Sequence, residues 1–182
     1  MPLKCKIMKK YALLAIFTVI GVAVLSAQTE TDKRAMREAR AEKTYESTKA
    51  LLESQKYEFI ADRLISSTGF SKSLVTTPNN IRIAGDQADV YLPYYGELRA
   101  NTPYVTDGGI KFEGKINDYR VEFRDHKRRA VIKFNIDKGI EDHNFILTIA
   151  RDGSTRATVI SSGRTTISYY GIIRAPEADS DF

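Results

Sequence analysis

IKFEGKINDYRVEFRDHKRRAVIKFNID, residues 110–137, decides the fold, because apolar and polar residues alternate along it on both sides of a charged turn. Successive side chains of a β-strand point to opposite faces of the sheet, so alternate residues share a face. The apolar positions on two neighbouring strands are Tyr119, Val121 and Phe123, then Ala130, Ile132, Phe134 and Ile136. The stretch therefore predicts antiparallel strands with one face in a hydrophobic core.

The same alternation continues in residues 57–66, 80–94, 144–161 and 165–174. Dipeptides typical of tight hairpins lie between the predicted strands: Gly85-Asp86, Asn117-Asp118 and Asp152-Gly153. About eight strands joined mostly by such short turns form an antiparallel sheet. Its core is predicted to continue through Phe145, Leu147, Ile149, Ala157, Val159 and Ser161.

Apolar residues also lie on the opposite face of the predicted sheet: Val131, Ile146, Ile160 and Ile172. They are too many for free exposure, so we expect the helix or a second sheet to cover part of that face. The predicted fold class is α+β, mainly antiparallel β, with an N-terminal helix followed by hairpin-connected strands. A sandwich, a half-barrel and a helix-covered sheet all satisfy the pattern.

A charged segment, residues 28–55, precedes the strands and is predicted to be a linker helix. Ala, Glu, Lys and Arg dominate it, Gly and Pro are missing from it, and Thr31 or Asp32 can cap its start. Its apolar face strengthens near Leu51 and Leu52, so we expect the C-terminal half to dock and the beginning to fray. A solvated helix on the sheet and a coiled-coil or partner helix are both consistent with this composition.

The first 27 residues have the layout of a secretory signal peptide: four lysines, an apolar run of about 15 residues and a small-residue end. The run is shorter than the roughly 20 residues that a spanning helix needs. We predict cleavage after Ala27, with Ser26 and a retained anchor as alternatives, and no integral membrane span afterwards. Localisation is therefore predicted to be periplasmic or secreted. Residues 56–176 are predicted to form one β-rich domain, and residues 177–182 a disordered tail.

Cleavage changes the charge and the cysteine content of the chain. Loss of four lysines lowers Lys+Arg from 28 to 24 against 23 Asp+Glu, and the formal charge from +5 to +1. Without a broad positive field, no nucleic-acid partner is expected. The one cysteine, Cys5, lies before the apolar run. The mature chain therefore has no disulfide, no cysteine nucleophile and no thiolate metal site.

Residue patterns of the common catalytic sites are missing. His126 and His143 are the only histidines and fall in the charged stretches RDHKRR and GIEDHN. Glu141, Asp142 and His143 are adjacent and lack the spacing that brings ligands together on a regular element. There is no GxSxG, no GxGxxG and no phosphate loop. We expect no catalytic residue, no metal and no cofactor, and hence a protein that is not an enzyme.

The dense basic cluster of Arg124, Lys127, Arg128 and Arg129 lies at the turn between two predicted strands. An anion site there could hold a headgroup, a polysaccharide or a phosphate. Hairpin tips are commonly charged because they are solvated. A solvated tip is the favoured interpretation.

Two short runs, VYLPYYGEL (residues 90–98) and TTISYYGII (residues 165–173), share the motif Tyr-Tyr-Gly. Pro93 is predicted to end a strand or occupy an edge, and Gly171 to mark a bulge or a close backbone approach. In each pair, one of the two neighbouring tyrosines must point inward and the other outward. The pairs Tyr94-Tyr95 and Tyr169-Tyr170 fit either a β-core completed by hydroxyl groups or a ligand platform.

The motifs LPYYG, Leu92–Gly96, and R-x-x-ISYYG, Arg164–Gly171, resemble the secreted domain-of-unknown-function family 4251, common in gut-type Gram-negative bacteria. The resemblance covers roughly residues 45–173. It implies an envelope or secreted protein of mainly antiparallel β structure with no established activity. Positions that match the signature are Leu92, Pro93, Tyr94, Gly96, Arg164, Ser168, Tyr169 and Gly171.

The favoured function is a non-catalytic binding or accessory module with a small apolar ligand, a glycan, a lipid or a peptide as its partner. Its candidate ligand-binding residues are Tyr94, Tyr95, Arg164, Tyr169 and Tyr170. The alternative is a structural or interaction module of the cell envelope, which binds an envelope protein. A hydrolase that uses scattered carboxylates ranks last, because it requires two acids that face each other in a cleft.

Overall fold

The computed structural model describes residues 32–76, 79–98, 108–137 and 141–177. The predicted signal segment and residues 28–31 lie outside these ranges, as do residues 178–182 of the predicted tail. One helix, α1 (residues 32–53), precedes ten strands. The strands are β1 (Lys56–Ser66), β2 (Ser71–Ser73), β3 (Asn80–Ala84), β4 (Gln87–Pro93), β5 (Gly109–Lys115), β6 (Asn117–Arg124), β7 (Arg129–Asp137), β8 (Asp142–Ala150), β9 (Ser154–Ser161) and β10 (Ile167–Arg174).

The chain divides into two compact units, Met1–Ala41 and Glu42–Phe182, and the sheet belongs wholly to the second. Helix α1 ends at residue 53, two residues before the predicted boundary. Gln55 has a φ of 52°, in the left-handed region that commonly terminates helices. Within the described part of the chain, no helix is both long enough and apolar enough to cross a bilayer.

All ten strands form one antiparallel sheet in the order β5-β4-β3-β1-β10-β9-β8-β7-β6, and β2 pairs with β1. The sheet curls into a nearly closed barrel. Tyr57 on β1 and Tyr119 on β6 are far apart in the strand order, yet their hydroxyl groups lie 3.1 Å apart. The two edge strands, β5 and β6, are joined through the single residue Ile116. Of the predicted alternatives, the half-barrel is therefore confirmed, and the ten described strands do not form a sandwich.

Two of the three predicted hairpins are confirmed. Gly85-Asp86 connects the paired strands β3 and β4, and Asp152-Gly153 connects β8 and β9. The Asn117-Asp118 hairpin is wrong, because β5 pairs with β4 whereas β6 pairs with β7. Asp118 has the positive φ of a turn residue, 54°, but it belongs to a register shift between Asn117 and Arg120.

The predicted core face of the sheet is confirmed on β7, β8 and β9, where every predicted position is buried. On β6 the predicted residues are partly buried and pack against the core. We expected part of the opposite face to be covered: Val131 is indeed buried, at 8% exposed, whereas Ile160 and Ile172 are 38% and 50% exposed. Ile160 and Ile172 are exposed because helix α1 packs at one end of the barrel and does not cover their face.

The C-terminal half of α1 lies against the turns at one end of the barrel. The hydroxyl of Tyr45 donates to Asp125 Oδ1 at 2.8 Å in the β6–β7 turn, and that of Thr48 donates to the carbonyl of Arg151 at 3.0 Å beyond β8. Leu52 is fully buried in the core. The predicted docking of this half of the helix is thus confirmed, at the end of the barrel and away from the outer face of β9 and β10.

Candidate ligand-binding groove on the outer face of the barrel

The first tyrosine of each Tyr-Tyr-Gly motif points into the barrel. Tyr94 is 9% exposed and Tyr169 is fully buried. The Tyr94 hydroxyl lies 3.0 Å from the carbonyl oxygens of Glu97 and Thr165. The Tyr169 hydroxyl donates to the carbonyl oxygen of Pro93 at 2.8 Å. Burial, together with the nearby Tyr94, raises the pKa of Tyr169 far above that of an exposed tyrosine.

Arg164 is also buried, and it pairs with a carboxylate. Its Nε lies 2.9 and 3.0 Å from the two carboxylate oxygens of Glu141, and its guanidinium group lies 5.0 Å from the ring centre of Tyr94. The structure thus brings Tyr94, Arg164 and Tyr169 together inside the barrel. Ligand binding by these three residues stays a prediction.

His143 lies in β8 and is 2% exposed, so its predicted location in a charged loop is wrong. Its Nδ1 lies 2.6 Å from Ser161 Oγ, and its Nε2 lies 3.7 Å from Glu141 Oε2. Glu141 immediately precedes β8, and its carboxylate lies beside the histidine. Among the described residues, no group of three or more His, Cys, Asp or Glu side chains is arranged to hold a metal ion.

The second tyrosine of each motif points outward and is approached by cations. Lys72 Nζ lies 3.9 Å from the ring centre of Tyr95, which is 41% exposed and contacts Phe70 at a centroid distance of 6.3 Å. The guanidinium groups of Arg63 and Arg156 lie 5.1 and 5.8 Å from the ring centre of Tyr170. The two outward tyrosines therefore have different neighbours.

Tyr170 lies in a groove of about 640 Å³ on the outer face of the sheet. The groove is lined by three arginines, three hydroxyl residues, one acid, the tyrosine and two small residues: Arg63, Arg129, Arg156, Thr148, Ser154, Thr155, Asp62, Tyr170, Ala150 and Gly171. Its volume falls within the range of small-molecule sites, roughly 300–1,000 Å³. The groove is therefore the candidate binding site.

The residue pairing between neighbouring strands brings the groove side chains together. Tyr170 on β10 is opposite Arg63 on β1 and opposite Arg156 on β9, and Arg156 is opposite Thr148 on β8. The pairing of β1 with β10 shifts between Ala61 and Arg63, which marks a bulge at the predicted site. A side chain at Gly171 would overlap the carbonyl oxygen of Ile60. Both expectations for this glycine, a bulge and a close backbone approach, are met.

The arginines of the groove differ from those at the tip of the β6–β7 turn. Arg124 pairs with Glu122 at 2.7 Å and Arg128 with Glu42 at 2.8 Å. None of the ion pairs between described residues involves Arg63, Arg129 or Arg156. The predicted basic cluster is thus divided, and Arg129 lines the groove.

A second depression, of about 460 Å³, lies on the outer face of β4 and β5. Tyr91 is 39% exposed there, and Lys111 Nζ lies 5.3 Å from its ring centre. The carboxylates of Asp89 and Glu113 line the same depression. Because two acids accompany its one lysine, it provides a natural comparison for the arginine-rich groove.

Comparison with protein families matches residues 39–173 to the model of a domain of unknown function, DUF4251. The chain belongs to the DUF4251 family. A crystal structure of a DUF4251 family protein from Bacteroides eggerthii is similar, with a TM-score of 0.57 and 16% sequence identity over 72% of this chain and 87% of that chain. At this identity the likeness concerns the fold alone. Comparison with curated proteins gives no match.

Sequence reasoning on this DUF4251 chain missed Arg63, Arg156 and Thr148 as groove residues. Each occupies an outward position on a predicted strand, and the alternation of inward and outward residues was the sequence signal that could have identified them. Which residues lie next to them, however, depends on the pairing of β1 with β10. These two strands are about a hundred residues apart in the chain. Only long-range register places Arg63 beside Tyr170.

Proposed function

We propose that the mature chain is a secreted or periplasmic, non-catalytic binding or accessory domain that holds a glycan, lipid or peptide ligand in the groove over Tyr170. The proposal rests on the composition and size of the groove. The groove combines an aromatic ring, three arginines without ion pairs among the described residues, and a volume of about 640 Å³. Aromatic and polar groups that converge in a concave surface are typical of ligand sites.

The partners of the buried polar side chains inside the barrel support an outer site. The inward hydroxyl groups of Tyr94 and Tyr169 are bonded to backbone carbonyls, and Arg164 is paired with Glu141. These polar groups already have partners within the protein, so ligand contact is better provided by Tyr170 than by the inward residues. Within this proposal, Tyr169, which points inward next to Tyr170 on β10, supports the wall of the groove from behind.

A non-catalytic role is supported by the chemistry of the groove lining. Asp62 is its single carboxylate, and no histidine or cysteine accompanies it. General acid–base hydrolysis of a glycoside requires a pair of carboxyl groups. Export to the periplasm or beyond is supported by the lysine-rich start and apolar run of residues 1–27.

The experiment is native mass spectrometry of the mature protein purified from its own cell envelope, compared with the Tyr170→Ala variant. We expect a bound mass that leaves on denaturation and is lost or reduced in Tyr170→Ala. Tyr91→Ala is the matched control, because Tyr91 is also an outward tyrosine approached by a lysine, and it should retain the ligand. Ligand retained equally by both variants would move the site elsewhere, and an empty wild-type protein would contradict the binding role.

An envelope interaction module is the second candidate, and the surface around Tyr95 favours it. Phe70 is 48% exposed and contacts Tyr95, which Lys72 covers. Exposed aromatic side chains are enriched at protein interfaces. Crosslinking in intact cells distinguishes the candidates: a specific protein adduct that is lost in a Phe70→Ser, Tyr95→Ser double variant supports the interaction role.

A further inference from the structure

We propose that the ligand of this groove carries an oxyanion group, namely a phosphate, sulfate or carboxylate, which binds to the guanidinium groups of Arg156 and Arg129. The inference rests on the proposed binding function and names the ligand class that the groove would select. It follows from the charge of the groove, from the orientation of Arg156 and from the location of the one acid.

The groove has a surplus of positive charge. Arg63, Arg129 and Arg156 face it together with a single carboxylate, that of Asp62. Some arginines elsewhere at the surface pair with a carboxylate, as Arg124 does with Glu122 at 2.7 Å. Three guanidinium groups in one concave surface, without such partners among the described residues, form a region of positive potential that attracts anions.

Two of the arginines are held in place by neighbouring side chains. Nη2 and Nε of Arg156 lie 3.2 and 3.4 Å from Ser168 Oγ, and Thr158 Oγ1 lies 3.3 Å from the same oxygen. Arg156 and Arg63 both lie against the ring of Tyr170. Because Nε and one side of Nη2 donate to Ser168, the remaining N–H groups of Arg156, on Nη1 and Nη2, are the edge that can match the geometry of an oxyanion. Tyr170 thus orients Arg156, one of the two proposed binding groups.

Register determines where the oxyanion lies. Arg63, Tyr170, Arg156 and Thr148 follow one another across β1, β10, β9 and β8, with neighbouring strands about 4.8 Å apart. Arg129 is opposite Ala150, two residues along β8 from Thr148. Arg129 and Arg156 therefore flank the hydroxyl of Thr148, on the side of Tyr170 away from β1.

Asp62 strengthens this assignment because it lies at the β1 side of the groove. It occupies the bulge between Ala61 and Arg63, next to the arginine in sequence. Its carboxylate repels an anion near Arg63 and leaves the region between Arg156 and Arg129 as the favourable one. Removal of this charge is expected to tighten anion binding, whereas it would not affect a neutral ligand in the same way.

The test is an NMR titration of the ¹⁵N-labelled mature protein with three sugars that share one ring: glucose 6-phosphate, glucuronate and glucose. We expect saturable shifts of groove amides such as Gly171 with one or both anionic sugars, and much weaker shifts with glucose. Arg129→Gln or Arg156→Gln should raise Kd about tenfold, as expected for loss of a hydrogen bond to a charged group. Asp62→Asn should lower Kd about twofold, as for a nearby surface charge.

Arg124→Gln is the matched control, since it removes the same charge from an arginine on the same β6–β7 hairpin that is paired outside the groove. It should leave Kd unchanged. Anionic-sugar binding that Arg124→Gln and Arg129→Gln weaken equally would reveal a diffuse charge effect and overturn the inference. Absence of saturable shifts with both anionic sugars at roughly 20 mM, well above a millimolar Kd, would also overturn it.

The two proposals fail in different ways. If glucose binds as well as glucose 6-phosphate, or if native mass spectrometry identifies a neutral ligand that Tyr170→Ala loses, the binding role stands and the oxyanion inference is wrong. If the envelope-purified protein is empty and no sugar binds, both proposals are wrong. Binding of a phosphate-bearing or carboxylate-bearing ligand that depends on Arg129 supports both.

Discussion

The hydroxyl group of Tyr169 donates a 2.8 Å hydrogen bond to the carbonyl oxygen of Pro93 and so joins the two Tyr-Tyr-Gly motifs. The relation is reciprocal, because the Tyr94 hydroxyl lies 3.0 Å from the carbonyl oxygen of Thr165, just before the second motif. Strands β4 and β10 are separated in the sheet by β3 and β1, so these bonds cross the barrel interior. The repeated motif is explained by two inward tyrosines that tie opposite walls together.

We predict that Tyr169→Phe and Tyr94→Phe each lower the free energy of unfolding by about 1 kcal/mol, the usual contribution of one hydrogen bond. Each change leaves a carbonyl oxygen inside the barrel without its hydroxyl partner. Urea denaturation measures the effect. Tyr95→Phe is the control, because Tyr95 is outward and 41% exposed, and it should be neutral. Equal stability of all three variants would show that the cross-barrel bonds contribute nothing.

Gly171→Ala should be strongly destabilising, by at least about 2 kcal/mol, because an added methyl group in a packed site forces backbone shifts. A Cβ at this position would overlap the carbonyl oxygen of Ile60, a backbone atom that cannot rotate away. The β1 bulge would have to move, and the Tyr170 groove with it. Thermal and urea unfolding provide the measurement. Gly108→Ala, where a Cβ meets nothing within 4 Å, should leave stability unchanged, and a comparable loss in both variants would contradict the steric argument.

Most of the sheet could be predicted because strand burial leaves a period of two in the sequence. Ala130, Ile132, Phe134 and Ile136 were assigned to the core on that basis, and all four are buried. The Asn117-Asp118 hairpin was wrong because a left-handed residue fits a turn and a bulge equally well locally. Distant pairing, which sends β5 to β4 and β6 to β7, decides between them.

The candidate site was predictable in part, and the limit is again long-range register. Sequence alternation showed that one tyrosine of each pair points outward, and Tyr170 is now seen to line the groove. Arg63 and Arg156 could not be assigned to it, because their contact with Tyr170 depends on which strands flank β10. The buried pair of Arg164 with Glu141 was missed for the same reason, since strand pairing brings these residues together.

Glu58→Gln should destabilise the protein at neutral pH and make its stability less sensitive to acid. Burial raises the pKa of this carboxyl, but hydrogen bonds from Asn80 and Arg82, with the charge of Arg174 nearby, outweigh it and leave the pKa below its usual value. A lowered pKa in the folded state means that the stabilisation is present above the unfolded-state pKa, about 4.3, and is lost as pH falls through the folded-state value.

Urea titrations of wild type and Glu58→Gln at pH 7 and at successively lower pH measure this dependence. We expect a difference of about 1 kcal/mol at pH 7, which shrinks below the ordinary glutamate pKa. Glu113→Gln on the exposed face of β5 is the control and should be close to neutral at every pH. A difference between wild type and Glu58→Gln that stays constant down to pH 3 would rule out the proposed linkage.

Arg164→Met should be the most damaging of the single substitutions considered, because it leaves Glu141 buried without its cation. Arg164 and Glu141 are 4% and 6% exposed, and their charged groups lie 2.9 Å apart. Removal of one partner from a buried pair costs about 3–5 kcal/mol, whereas replacement of both by apolar residues is often close to neutral. The double variant Arg164→Met, Glu141→Leu should therefore regain most of the stability lost in the single variant, as measured by urea unfolding. If the double variant is less stable than Arg164→Met, the bonds of Glu141 to other groups, including His143 Nε2 at 3.7 Å, matter more than its pairing with Arg164.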